Sequence, residues 1–278
     1  MATDDEIKGE LSEAYELTCD QCDYFRHNGY LKIKNVLSPS VVRRLRTELV
    51  RLLEDRFKRG IDDSKSGERF LSLEMIWLNN SLIRHFVLSP RIAKICADLL
   101  GVSKVRLYHD NVLAKESRCG RTPWHCDDDH FPLATQDVVT AWIPAQAIPS
   151  EMGPLAFAKP LEIFSFLKQI KFNKHDTTYD RAIIDTLKSK NIEVDDTAFS
   201  IGEVSFHHNR SFHTAGDNRT NKTRVVLANT FFADGARIMK EPTMVSGDWN
   251  KFIPGASPGD LAASPLNPIC WPPQNKNI

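Results

Sequence analysis

The spacing of apolar residues changes along this chain and divides it into a helical first third and a strand-rich remainder. Apolar positions recur at helical intervals from roughly Asp5 to His27 and again from Val41 through Leu45 and Leu49 to Leu53, with Ser38-Pro39-Ser40 as a start signal. Tyr30 to Lys34 between them reads as a strand. Ser81 to Phe86 and Arg91 to Leu100 read as two short helices parted by Ser89-Pro90, and Gly101 supplies a stop. From Lys104 to Ala114 the pattern turns strand-like. Further strands are predicted at Val138 to Ala147, Leu155 to Ala158, Glu203 to His207 and Arg224 to Ala233.

These strands alternate with turns and not with regular helices, which fits an antiparallel double-sheet barrel and argues against a doubly wound nucleotide fold. Leu161 to Asn191 interrupts the series with amphipathic helical stretches, notably Arg181 to Lys188, and is expected to close one end of a cavity. Phe57 to Gly67, charged and glycine-containing, is expected to be a loop over a pocket. The proline-rich run from Pro254 to Pro273 is expected to wrap as irregular coil. No internal repeat is present.

Composition narrows the class. With 278 residues, 41% of them hydrophobic, the chain can bury a full core. A single domain over 1–278 is expected, with helical support at about 5–100, a β core at about 104–235 carrying the 161–191 insertion, and a tail at about 241–278. Lys plus Arg and Asp plus Glu both total 36, so no global field favours nucleic acid or an anionic membrane. The acidic start Met1 to Glu6 lacks the features of a secretory signal, no run of about 18 apolar residues is present, and Asn275-Lys276-Asn277-Ile278 is not a peroxisomal address. The six cysteines show no framework-like clustering, and Cys19-x-x-Cys22 has no second pair to complete a zinc site. A cytoplasmic protein with a small-molecule partner is the expectation, with no nucleic acid and no membrane; oligomeric state is left open.

The candidate chemistry lies in His125-Cys126-Asp127, followed far downstream by His213 and Arg224. Two imidazoles and one carboxylate form the donor set that leaves half of an octahedral ferrous ion open for reaction. On a strand, His125 and Asp127 would share a face with Cys126 turned away. Asp128, Asp129 and His130 compete as ligands if the register slips, and His207 and His208 offer a second cluster whose ordinary role is hydrogen bonding or packing before the His213 strand, with support of the ligands as an alternative. Arg219, in the polar turn Asn218-Arg219-Thr220, competes with Arg224 for the role of buried cation.

In order, these residues and their surroundings resemble the phytanoyl-CoA dioxygenase family of iron(II) and 2-oxoglutarate-dependent oxygenases. The similarity runs from about Leu17 to Ala233 and includes Phe25-Arg26-His27-Asn28-Gly29-Tyr30, Met152-Gly153-Pro154-Leu155 and Gly202-Glu203-Val204-Ser205-Phe206-His207. The resemblance implies a mainly β fold with flanking helices, a double-stranded β-helix or jelly-roll core. It implies Fe(II) held by His125, Asp127 and His213, with 2-oxoglutarate and O2 as cosubstrates. Arg224 would anchor the distal carboxylate of 2-oxoglutarate, and Trp142 and Asn111 would line its pocket; Lys115 is a weaker candidate there. The implied reaction is hydroxylation or other oxidative modification of a small organic metabolite, with release of succinate and CO2. Retention of Asp127 distinguishes the chain from halogenating relatives.

Two departures stand out: Ala158-Lys159-Pro160-Leu161 replaces the usual ending of the Gly-Pro-Leu strand, and Glu203 replaces a common aspartate. A CoA thioester would call for clustered cations, for which Arg118, Arg121 and Lys115 are candidates. Met75, Trp77, Phe131 and Trp249 could form an apolar substrate wall. The competing functions are a cupin-like metal hydrolase or isomerase, and a noncatalytic metal-binding protein of the same fold.

Overall fold

A computed structural model describes residues 2–61, 68–170, 178–242 and 249–273. Helices α1 (Asp4–Ser12) and α2 (Cys19–Asn28) replace the single amino-terminal helix that periodicity predicts. The break has a local cause. Thr3 with Glu6 and Thr18 with Gln21 each form a capping box, so a second helix starts at Thr18. Strand β1 (Tyr30–Ile33) and helix α3 (Pro39–Phe57) follow, then β2 (Phe70–Glu74), α4 (Ser81–Val87) and α5 (Pro90–Leu100). The helices stack their apolar faces on one side of a large sheet. There α5 buries Ile92, Ala93, Ile95, Cys96 and Leu99 in the core that holds Leu107, Val112, Val139, Ile143, Val225 and Leu227.

The remaining strands are β3 (Val105–Lys115), β4 (Thr122–His125), β5 (Val138–Pro144), β6 (Leu155–Lys159), β7 (Glu193–Asp195), β8 (Val204–His208), β9 (His213–Ala215), β10 (Arg224–Ala233) and β11 (Ile269–Trp271). The major sheet runs β1-β8-β5-β10-β3-β11, with β2 also paired to β3, and the minor sheet runs β4-β9-β6-β7. All pairings between these strands are antiparallel. This is the jelly-roll architecture expected, a mainly antiparallel β fold with flanking helices. Tyr30 of β1 stacks on Phe157 of β6 at 4.3 Å between ring centroids, joining the two sheets.

Strand alternation sorts side chains between the two faces of the major sheet. Along β10, Val225, Leu227 and Phe231 pack in the core shared with the helices, whereas Arg224, Ala228 and Thr230 face a cavity between the sheets. Burying each large aliphatic on the helical side contributes about 1.5–3 kcal/mol, and their fixed alternation holds the opposite set in register.

Two further expectations need correction. The 161–191 insertion contains α6 (Phe164–Leu167) and α7 (Thr178–Ser189), with 171–177 outside the described residues. Its described residues do not line the cavity: Leu167, Tyr179, Ile183 and Leu187 pack with Trp124, Cys126, Ala158 and Phe212 in a separate cluster. The expected coil after Pro254 supplies β11, which pairs with β3. The expected loop at 57–67 falls partly on 62–67, outside the described residues, and β2 follows it. The expected irregular tail at about 241–278 also contains a short helix, α8 (Trp249–Phe252).

Candidate metal centre

The pairing of β4 with β9 brings the distant histidines together. His125 and His213 are register partners across these antiparallel strands, and their ring centroids lie 4.1 Å apart. Asp127 joins them from a different geometry than the sequence suggests. Strand β4 ends at His125, and Asp127 sits in the bend beyond it, where its backbone N–H donates to the Asn209 carbonyl at 2.8 Å. That bond anchors the bend to the turn after β8. The shared orientation of His125 and Asp127 therefore comes from a pinned loop and not from strand alternation; Cys126 still turns away, into the apolar cluster with Trp124 and Tyr179.

One ligand atom from each of His125, Asp127 and His213 lies within 4.8 Å of the others. Asp127 Oδ1 is 4.0 Å from His125 Nε2 and 3.9 Å from His213 Nε2. Two metal–ligand bonds of about 2.1 Å span at most about 4.2 Å, so one ion between these atoms suits the spacing. The imidazole tautomers are also set. His125 Nδ1 lies 2.9 Å from the Pro123 carbonyl and His213 Nδ1 lies 2.9 Å from the Ser211 carbonyl. A carbonyl only accepts, so each Nδ1 carries the proton and each Nε2 presents its lone pair to the cavity.

Electrostatics favour the same protonation states. Burial lowers the pKa of His125, and lowers that of His213 well below the usual imidazole range with His125 adding to the effect. Burial opposes ionisation of Asp127, but His213, His207 and His125 more than offset it and hold the carboxyl well below its ordinary range. A neutral pair of imidazoles facing an ionised carboxylate is the state that binds a divalent cation.

The donors open into a cavity of about 390 Å³ whose other wall is the major sheet. Arg224 lies at one part of that wall, 2% exposed, with its guanidinium carbon 5.4 Å from the Trp142 ring centroid. It donates from one terminal nitrogen to the Gly153 carbonyl at 2.5 Å, and its buried Nε has no hydrogen-bond partner. No carboxylate pairs with it among the described residues. Burial lowers its pKa to about 10, so it stays charged at neutral pH. A charged, buried and incompletely satisfied guanidinium is suited to bind a carboxylate in two-point fashion. Trp142 and Asn111 both line the cavity and share one cross-strand row through Ala228.

The competing residues lie elsewhere. Asp128 pairs with Lys168 and Arg210, and Asp129 with Lys168. Arg219 is exposed. His130 lines the cavity but stands outside the metal-capable group. His208 leaves the site, its ring lying 6.4 Å from Phe25. Of the proposed apolar wall only Phe131 lines the cavity; Met75 and Trp77 are buried in core clusters, and Trp249 packs at the edge of one. The two departures from the family pattern are peripheral: Lys159 pairs with Glu193 at 2.8 Å, and Glu203 accepts from the Ser200 N–H at 2.8 Å. Cys126 is buried and its thiol is pushed up to about 12, which makes it inert.

Sequence reasoning underrated His207 and missed His109, Glu74 and Phe70. His207 Nε2 lies 3.4 Å from Asp127 Oδ2, the oxygen paired with neither imidazole, and His109, Glu74 and Phe70 all line the cavity. The signal for His109 and His207 was strand register: His109, Thr230, Thr140 and His207 form one row across β3, β10, β5 and β8.

A jelly-roll whose two sheets enclose two imidazoles, a carboxylate and a buried guanidinium has the features of a non-haem iron, 2-oxoglutarate-dependent oxygenase. The comparisons agree: the family model for phytanoyl-CoA dioxygenase (PhyH) matches residues 25–226, and the chain belongs to that family. Among solved structures, the non-heme α-ketoglutarate-dependent carbocyclase SnoK from nogalamycin biosynthesis is 25% identical with a TM-score of 0.73, covering 91% of this chain and 96% of its own. The epimerase SnoN, solved with Fe3+, α-ketoglutarate and nogalamycin RO, is 21% identical with a TM-score of 0.69, covering 90% of this chain and 97% of its own. EctD from S. alaskensis with bound Fe is 15% identical with a TM-score of 0.66, covering 92% of this chain and 93% of its own. A sequence comparison with curated proteins gave no match. Iron, 2-oxoglutarate and O2 are therefore the metal and cosubstrates of this enzyme class.

Proposed function

We propose that His125, Asp127 and His213 hold iron(II), that Arg224 anchors the distal carboxylate of 2-oxoglutarate beside Trp142 and Asn111, and that the enzyme hydroxylates or otherwise oxidatively modifies a small organic metabolite. Succinate and CO2 would be the coproducts. The observation that carries this reading is the buried Arg224 guanidinium, without a carboxylate partner among the described residues, in the same cavity as the three donors. A metal hydrolase or isomerase has no use for that cation, and a noncatalytic binder has no need of the complete set.

When bound, iron and 2-oxoglutarate supply the oxidative chemistry with O2. The chain supplies placement. Pro123 and Ser211 carbonyls retain the Nδ1 protons and so orient Nε2 of each histidine; His207 steadies Asp127 through its second oxygen. Lys168, paired with Asp128 and Asp129, and Asp180, which accepts from the Trp124 N–H at 2.8 Å, brace the segment on either side of the donors. The described residues of the insertion thus act behind the minor sheet, where they brace the donor segment.

The substrate we infer lacks a phosphoadenosine tail. Arg121 pairs with Asp180, Arg118 lies 3.7 Å from Glu68, and Lys115 donates to backbone carbonyls, so these cations form no open cluster at the cavity. No described helix is long and apolar enough to cross a membrane, and all six cysteines are free thiols. We place the enzyme in the cytoplasm, acting as one domain over 1–278 without nucleic acid or membrane partners.

The test is aerobic incubation of the iron-loaded protein with 2-oxoglutarate and fractionated metabolite pools. Substrate-dependent succinate release, matched by an oxidised product, is expected. Turnover of a metabolite without consumption of 2-oxoglutarate would favour the hydrolase or isomerase.

A further inference from the structure

A polar strip of the cavity wall is used neither by the metal donors nor by Arg224. His109, Thr230, Thr140 and His207 form one row across β3, β10, β5 and β8, and all four line the cavity. His207 touches Asp127 at one end of the row, so the strip lies level with the three donors. Arg224 stands at the far end of β10, about 20 Å from Thr230 at the rise of a strand. A diacid that reaches from the donors towards Arg224 therefore leaves His109, Thr230 and Thr140 uncovered. These three have hydrogen-bonding capacity that the chain does not use. Thr140 and Thr230 are buried, and their hydroxyls bond each other at 2.9 Å. Two hydroxyls carry two protons and that bond takes one; the other finds no acceptor among the described residues. Burial lowers the pKa of His109, with Glu74 and Asp127 opposing, so its ring is neutral at pH 7, and its Nδ1 has no hydrogen-bond partner. A neutral imidazole offers one donor and one acceptor. Buried polar groups left unpaired are costly, so such a strip is retained where a ligand completes it.

Charge decides the class of ligand. Among the described residues the charged side chains lining the cavity are Glu74, Asp127 and Arg224. Glu74 pairs with Lys251, and the function proposed above commits Asp127 to the metal and Arg224 to 2-oxoglutarate. No charge is left over for a substrate. Phe131, its ring 6.2 Å from that of His109, adds an apolar surface beside the strip. Resting on that function, we infer that His109, Thr140 and Thr230 determine specificity, and that they select an uncharged, largely apolar molecule by a hydroxyl or carbonyl oxygen held next to the metal centre.

The experiment measures anaerobic binding of four probes that share one ring, phenol, benzene, benzylammonium and benzoate, to protein loaded with iron(II) and 2-oxoglutarate at pH 7. Relaxation of the probe protons by the paramagnetic iron reports only molecules held near the metal. Phenol should bind about fivefold or more tightly than benzene and about tenfold or more tightly than either ion. The double variant Thr140→Val/Thr230→Val removes both hydroxyls and keeps their shape; it should weaken phenol about fivefold and change benzene by less than about twofold. His109→Phe should likewise weaken phenol more than benzene. Equal losses for phenol and benzene would mean that these residues only hold the wall, and no loss of phenol in either variant would also overturn the inference. The ranking on wild type decides the matter if the variants fail to fold: an ion that binds most tightly, phenol and benzene that bind alike, or no probe held near the iron would contradict it. Failure of folded, iron-loaded wild type to bind 2-oxoglutarate at all would instead sink the function itself.

Discussion

At the scale of single residues the site is a problem in satisfying buried charge. Asp127 is held in its ionised form against burial by His213, His207 and His125 around it, and burial lowers the pKa of His125 and of His213. Arg224 has one carbonyl, one aromatic face and an unpartnered Nε. Arg224→Ala is therefore expected to weaken 2-oxoglutarate binding by about 100-fold, near 2.7 kcal/mol, while iron affinity changes little; calorimetry of each ligand separately checks this. Equal affinity for 2-oxoglutarate in the variant would contradict the role. His125, Asp127, His213 and Arg224 were legible because their residue types and order carry the chemistry. His207 and His109 were not, since a histidine on a strand reveals its use only once register places it in a row with its neighbours.

At the scale of elements, three contacts converge on one turn. Gly153 ends the turn before β6 with φ +72, and a Cβ there would lie 2.2 Å from the Gly216 carbonyl oxygen. Its own carbonyl accepts from Arg224, and Gly216 accepts from Lys115. Gly153→Ala should lower stability by about 2 kcal/mol or more and weaken 2-oxoglutarate binding in the same protein. Chemical denaturation with ligand titration reads both; a fully stable variant would show that the turn has room to move. Long strands with strict alternation were the readable elements, and β10 spans Arg224–Ala233 as the pattern predicts. Strands β7 and β11 were not readable, because three residues cannot display a period and their partners lie far away in sequence. The bend at Asp127 was likewise hidden, since its anchor is a backbone bond to Asn209.

At the scale of the whole molecule, buried imidazoles, three lining the cavity and His208 outside it, make the metal-free fold acid-sensitive. Burial lowers His109, His125 and His213, and takes His208 to about 4. A histidine with a depressed folded-state pKa takes up its proton more readily when unfolded, so stability is complete above the unfolded pKa of about 6.5 and is lost as pH falls below it, by up to about 1.4 kcal/mol per pH unit for each group. Asp127, depressed in the fold, adds loss further down. Thermal unfolding of the metal-free protein should show Tm falling steadily from about pH 7 to about pH 5, and a Tm that stays level would show that these rings are accessible to protons. The central claim is that one ion and one diacid share the cavity between the sheets. Anaerobic addition of iron(II) and then 2-oxoglutarate tests it most directly: a visible charge-transfer band should develop in wild type and be lost in folded His125→Ala and Asp127→Ala. A band that survives in both variants, or never forms in folded, iron-loaded wild type, would contradict the account.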